Sequence, residues 1–126
     1  MYILNGLEDW GLLALRVFVG LIFLLHGARK LFGTGTPVTF RFLGLFETIG
    51  ALAVISGIWV QFTSIGFGII MLGAIYMKMF KWGVKFSPKE HPGWEFDFLI
   101  LGVSIALLFL GAGAYSLDAY VKVLGN

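Results

Sequence analysis

The stretch FLILGVSIALLFLGAGA, residues 98–114, runs for seventeen residues without a charged side chain. The hydrocarbon layer of a bilayer is about 30 Å thick and is crossed by about 20 apolar helical residues. A chain of 126 residues has too little mass to cover such a helix on every side. The stretch therefore predicts a membrane-spanning helix rather than the core of a water-soluble domain.

The rest of the sequence follows the same pattern. Hydrophobic residues make up 59% of the chain and charged residues 13%, whereas soluble domains carry about 25% charged residues. Apolar segments separated by short polar stretches predict helices at about 10–32, 42–62, 63–80 and 94–114, with a tight turn at about 61–64. The predicted fold class is all-α, an integral membrane four-helix bundle that forms a single transmembrane domain over residues 1–126.

The basic residues predict the orientation of this bundle. With four crossings, the first and third connections lie on one side of the membrane and both termini lie on the other. Those two connections hold seven basic residues: Arg29, Lys30, Arg41, Lys78, Lys81, Lys85 and Lys89. Because basic loops stay in the cytoplasm, both termini are predicted on the outer side of a multi-pass protein of the cell membrane. The lipid bilayer is then a partner, and topology explains the basic residues without nucleic-acid binding.

Residue counts disfavour several cofactor classes. The chain has no cysteine, so thiol chemistry, disulfides and cysteine-held iron–sulfur clusters are not expected. A metal held by His26, Glu47 and Glu95 is disfavoured because the sequence has two histidines and no Glu-x-x-His spacing. Haem is disfavoured because His26 could supply only one axial ligand and His91 precedes a proline in a loop.

Counting along the helices places two ionisable groups at the same depth. His26 lies about six residues from the inner end of its helix and Glu47 about five from the inner end of the next, roughly 8 to 9 Å inside the boundary. Glu47 then has three interpretations. It forms an ion pair with Lys30, Lys78 or Arg41 that joins helices, it is a carboxyl that exchanges protons or binds a ligand, or it is a protonated residue that faces the lipid.

A quinone is the ligand that suits this level of the membrane. His26 lies four residues before Lys30, so the two share a helix face. An imidazole and a carboxyl that face each other inside a bundle can donate to a quinone carbonyl and pass the two protons that a quinone accepts. His26 and Glu47 are therefore predicted as catalytic residues, and Lys30 and Glu95 complete the predicted quinone-binding site.

The other intramembrane charges are interpreted as structural ion pairs. Arg16 falls near the outer level, where its candidate partners are Glu8, Asp9, Tyr115 and Asp118. Lys78 and Asp97 fall at the inner level. Buried ionisable residues of this kind usually face the bundle interior or a partner.

Several short motifs extend over nearly the whole chain, and the first helix holds the most specific ones. They are Leu15-Arg16, Gly20, Leu21–Gly27, Lys30–Gly33, Glu47 with Gly50, Gly93–Phe96 and Gly113–Asp118. With these motifs the chain resembles the DoxX family of small four-helix membrane proteins. Membership of a family predicts the fold of a protein more reliably than its reaction.

The resemblance implies a redox-linked protein of the cell membrane. Some relatives are the quinone-reducing membrane subunit of thiosulfate:quinone oxidoreductase, and others partner superoxide dismutase and a rhodanese-like sulfurtransferase. The polar positions of the family correspond here to Arg16, His26, Lys30, Glu47 and Glu95. Lys78 stands where relatives often have a histidine, which weighs against a metal or a proton relay there.

Two functions follow, and a third has weaker support. The first is a membrane subunit of a redox complex that receives electrons from a soluble partner and interacts with quinone at the inner-leaflet cluster. The alternative is a non-catalytic accessory subunit that packs against other subunits of a larger respiratory or photosynthetic membrane complex. A small-solute transporter or channel rests only on the few intramembrane polar residues. A homo-oligomer stays open in each case.

Overall fold

The computed structural model describes residues 6–125, so the ends of the predicted 1–126 domain lie outside it. Its α-helices are α1 Glu8–Phe32, α2 Val38–Ser56, α3 Val60–Tyr76, α4 Glu95–Leu110 and α5 Leu117–Leu124. A π-helical turn, Met77–Lys81, prolongs α3. Residues 6–125 contain no strand, which confirms the predicted all-α class.

The bounds of the first two helices follow from local chemistry. Helix α1 has acidic residues in its first turn and Arg29 and Lys30 in its last, which complements the helix dipole at both ends. Helix α2 begins directly after Pro37. It ends at Gly57, whose φ of +83° is the left-handed conformation of a helix-terminating glycine. There the Ile58 N–H donates to the Ala53 carbonyl at 2.9 Å, a Schellman closure.

The turn between α2 and α3 lies earlier than the sequence predicted. It falls at Gly57–Trp59, and residues 61–64 are already inside α3. Apolar residues continue through the turn without a change of pattern, so hydropathy could not place it. The position of the turn is set by the left-handed conformation of Gly57 and by Asp118. The Asp118 carboxylate accepts hydrogen bonds from the N–H groups of Trp59 and Val60 at 2.9 and 3.3 Å.

Helix α4 is also shorter than the predicted 94–114. It ends at Leu110 because Gly111 and Gly113 both have positive φ, 76° and 81°, and turn the chain back over the end of the bundle. The hydroxyl of Ser116 then accepts a hydrogen bond from the Ala119 N–H at 3.2 Å and caps α5. Residues Leu117–Leu124 thus form a fifth helix of about two turns.

The helices pack in chain order around one core. Helix α1 packs closely against α2 and α3 against α4, while smaller contacts join α2 to α3 and α1 to α4. At the α1–α2 crossing a Cβ atom on Gly27 would lie 2.7 Å from the Gly44 carbonyl oxygen, so only glycine permits this approach. In the core the rings of Phe23 and Phe67 stack with centroids 3.7 Å apart.

The outer surface of the bundle is apolar. Helices α1 and α2 and the combined segment Val60–Lys81 are long and apolar enough to cross a membrane, whereas α4 has 16 residues. Large side chains such as Phe18, Phe62 and Phe109 are exposed along the helices. A surface of this kind needs lipid rather than water, which fits a multi-pass membrane protein.

Candidate functional site

A lysine–carboxylate pair joins α1 to α2 at one end of the bundle. The Nζ of Lys30 lies 2.7 Å from Oε1 of Glu47. The side chain of Glu47 is 1% exposed and that of Lys30 31%, so the carboxylate lies behind the amine. The second oxygen of Glu47, Oε2, is buried and has no hydrogen-bond partner within residues 6–125. A buried carboxylate with one unsatisfied oxygen is costly and therefore a candidate for function.

A second pair joins the other two helices. Lys78, in the π-helical turn after α3, places its Nζ 2.6 Å from Oδ2 of Asp97 in the first turns of α4. The same amine donates to the Gly93 carbonyl at 3.3 Å. The two pairs, Lys30–Glu47 and Lys78–Asp97, are called here the lysine cluster. Each pair links the two helices of one hairpin, α1 with α2 and α3 with α4.

His26 lies at this end of the bundle but does not face Glu47 directly. Its side chain is exposed, and its ring meets that of Phe96 edge to face, with centroids 5.9 Å apart. It is close enough to Lys30, Glu47 and Asp97 to interact with them electrostatically. The imidazole and the carboxylate predicted to face each other are therefore separated, with His26 on the surface and Glu47 in the interior.

Glu95 is likewise exposed rather than part of an inward cluster. It borders an open, mostly apolar groove of about 490 Å³ between α1 and α4, together with Phe86 and Leu99. Among the predicted quinone-site residues, the structure therefore brings Lys30 and Glu47 into contact and leaves His26 and Glu95 on the surface.

At the opposite end, Arg16 is fully buried but has no carboxylate partner among the described residues. Its guanidinium donates to the carbonyls of Val54 at 3.0 Å, Ile55 at 3.1 Å and Tyr115 at 3.0 Å, and also to that of Ala112. Val54 and Ile55 belong to the last turn of α2, whose carbonyls lack partners within the helix. The arginine therefore binds the negative end of α2 to the segment that follows α4.

This arrangement replaces the predicted Arg16–Asp118 ion pair. Both carboxylate oxygens of Asp118 accept backbone N–H groups at the start of α3 instead. Free N–H groups at a helix start attract a carboxylate, just as free carbonyls at a helix end attract a guanidinium. Sequence reasoning considered only side-chain partners and missed the backbone acceptors. A side chain at Gly57 would contact Ser116 and the Arg16 guanidinium, so glycine is required at this position.

Two further contacts were not predicted. Oδ1 of Asp9 accepts a hydrogen bond from the Ala114 N–H at 2.8 Å, which fixes the chain after α4 to the start of α1. The Phe23–Phe67 stack fills the core between α1 and α3.

Over residues 6–125, no three His, Asp or Glu side chains lie close enough together to hold a metal ion.

The geometry defines a class of protein, namely a multi-pass, all-helical membrane protein in which a partly exposed lysine is paired with a buried carboxylate at one end. Residues 11–80 match the sequence profile of DoxX, and the chain belongs to the DoxX family. It is 33% identical over 129 residues to a protein of Bacillus subtilis (strain 168) named "Putative oxidoreductase CatD", an alignment that covers 94% of this chain and 92% of that protein. No solved structure matches the chain.

Proposed function

We propose that this protein is the membrane subunit of a redox complex and that it binds a quinone at the lysine-cluster end. The observation that carries the proposal is Glu47, a buried carboxylate whose Oε1 contacts Lys30 and whose Oε2 has no partner among the described residues. The name of the Bacillus relative, "Putative oxidoreductase CatD", supports the redox assignment.

The accessible side of this site is the surface shared by His26 and Lys30. The two residues lie one helical turn apart on α1, and Phe96 provides an aromatic edge beside the imidazole. Glu47 lies behind Lys30 and is closed to solvent. A flat, membrane-soluble ring would therefore approach from the lipid, contact His26 and Lys30, and leave Glu47 as a carboxyl behind them.

These residues suit the proton chemistry of such a ligand. A quinone, when bound, accepts two electrons and two protons. Lys30 is a donor with three N–H groups that can donate to a ring carbonyl, and the Glu47 carboxylate accepts a hydrogen bond from Lys30 through Oε1 and holds the amine in place. His26 supplies a second exchangeable proton at the surface. Since the chain has no cysteine, we assign the delivery of electrons to a partner protein.

The topology belongs to the same proposal. We place a fourth crossing at α4, both termini on the outer side and the lysine cluster at the cytoplasmic side of the cell membrane. The support is charge, because Arg29, Arg41 and Lys81 are exposed at the lysine-cluster end. A soluble electron donor would then reach the site from the cytoplasm.

Quinone binding to purified protein in nanodiscs tests the proposal. The variants are Lys30→Met, Glu47→Gln and His26→Ala, each of which we expect to weaken binding of a short-chain ubiquinone or menaquinone at least tenfold. Lys78→Met is the matched control, because it removes the other lysine of the cluster, and its affinity should be unchanged. Equal affinity in the wild type and all four variants would refute the site.

An accessory role in a larger membrane complex is the second candidate. The exposed apolar side chains of α1, α2 and α3 favour it, because they could pack against helices of other subunits as well as against lipid. Gentle-detergent purification with mass spectrometry separates the two. Stable co-purification of membrane subunits without quinone binding would favour the accessory role.

A transport role has less support, because the Phe23–Phe67 stack fills the core between the two polar ends.

A further inference from the structure

Helix α5 presents an apolar stripe that no part of the described chain covers. None of its residues is buried. Leu117, Tyr120, Val121 and Leu124 follow the i, i+3, i+4, i+7 spacing that places them on one side of a helix, and all four are exposed. The other side, with Ala119 and Lys122, borders an open groove of about 380 Å³ that Gln61 also lines.

The position of α5 is fixed by the bundle. The Asp118 N–H donates to the Gly57 carbonyl at 2.9 Å, and the Asp118 carboxylate accepts from Trp59 at 2.9 Å. These contacts hold the first turn of α5 against the end of α2 and the start of α3, which are ends of candidate membrane spans. Helix α5 therefore lies at the level where the hydrocarbon layer meets water.

Exposed aromatic residues mark the same level. Trp59 is beside the Asp118 contact, and Trp10, near the start of α1, meets the Tyr115 ring with centroids 4.5 Å apart. All three rings are exposed. Tryptophan and tyrosine concentrate at membrane–water interfaces. The exposed rings therefore mark such an interface beside the start of α5.

We infer that α5 is an interfacial helix that lies in the headgroup layer, with Leu117, Tyr120, Val121 and Leu124 turned toward the acyl chains. A helix of eight residues has little stability of its own in water. Contact with lipid along one side, together with the Ser116 cap, adds the stability that contacts with the rest of the protein do not provide. This inference is independent of quinone binding.

Spin labels provide the first test, and the absence of native cysteines means that a single introduced cysteine is labelled without background. The two variants are Val121→Cys and Lys122→Cys, whose side chains point about 100° apart around the helix. They are compared in nanodiscs of phosphatidylethanolamine and phosphatidylglycerol. We expect the label at 121 to be severalfold more accessible to oxygen than to a water-soluble nickel chelate, and the label at 122 to show the reverse.

Two results would overturn the inference. Equal access of the nickel chelate to both labels would place the stripe in water. Spin–spin broadening at position 121 alone would show that a second copy of the chain covers it.

A second test compares the same substitution at two exposed valines. Val121, on the stripe, is 65% exposed, and Val123, off the stripe, is 73% exposed. In nanodiscs, Val121→Asp should raise amide hydrogen exchange of residues 117–124 severalfold, whereas Val123→Asp should leave it close to wild type. Equal exchange in the two variants would contradict the inference even if both proteins fold normally.

Discussion

Gly27 and Gly44 meet backbone to backbone at the crossing of α1 and α2, where a Cβ atom on either would lie 2.7 Å from the carbonyl oxygen of the other. A Cβ on Gly44 would also lie 2.7 Å from Cβ of Lys30. Glu47 is one helical turn beyond Gly44. The close crossing therefore sets the distance over which Lys30 can reach the buried carboxylate.

Gly44→Ala should destabilise the protein because the added methyl group forces α1 and α2 apart. Overpacking of this kind costs about 1–3 kcal/mol, measured by reversible unfolding in mixed micelles. Gly73→Ala is the control, since a Cβ at this helical position has no neighbour within 4 Å, and its stability should be unchanged or slightly raised. Equal losses in both variants would mean that the close approach at Gly44 is not responsible for the loss.

Lys30→Met should destabilise the protein by about 3 kcal/mol, because it leaves Glu47 as an uncompensated buried charge. The double variant Lys30→Met/Glu47→Gln removes that charge and should recover a large part of the loss. The unfolding free energies of the wild type, both single variants and the double variant complete a double-mutant cycle. Simple addition of the two single losses would show that the pair is not coupled.

Arg16→Lys should be poorly tolerated, although it keeps the charge. A lysine amine has three donors on a flexible stem and cannot match the planar fork that reaches four carbonyls. Each buried carbonyl left without a donor costs about 1–3 kcal/mol.

Proteolysis of the segment after α4 should also accelerate in Arg16→Lys. Arg41→Lys is the control, because Arg41 is exposed and donates over longer distances, 3.3 Å to Thr36 and 3.4 Å to Gly33. If the two variants unfold at the same temperature, the carbonyl contacts of Arg16 contribute nothing.

Asp118→Ala should cost about 1 kcal/mol, the usual cost of losing a helix cap. It removes both acceptors for the backbone N–H groups of Trp59 and Val60. Asp118→Asn keeps one oxygen and should lose less. The comparison uses unfolding in mixed micelles, with hydrogen exchange at the start of α3 as the local readout. Identical exchange in the two variants would argue against capping.

The helical class of the fold could be read from the sequence, because uninterrupted apolar length is a strong signal for membrane helices. The end of α1 could be read from the sequence, because Gly33 follows the predicted limit at residue 32, whereas α2 begins at Val38 and not at the predicted residue 42. The end of α2 and the end of α4 depend on glycine conformations and on carbonyl contacts from Arg16. Those contacts join positions far apart in the chain, so hydropathy could not show them.

The level of the polar groups within the bundle could be counted, but their direction around each helix could not. Residue number gives depth at a fixed rise per residue, which put Lys30 and Glu47 at one end. Rotation about the helix axis is set by packing, here by the Gly27–Gly44 contact. The same packing turns His26 outward against Phe96. The depth of His26 alone could not show whether its imidazole points outward or inward.

The short length of α4 has a consequence for the surrounding lipid. Its 16 residues rise about 24 Å, whereas the 25 residues of α1 rise about 37 Å. With α4 as the proposed fourth crossing, an annulus of lipid that contacts both helices would be thinner beside α4 than beside α1, at a modest elastic cost for each ångström of mismatch. Shorter acyl chains lower that cost, so they should gather beside α4 and give the molecule a preferred side toward thin membrane.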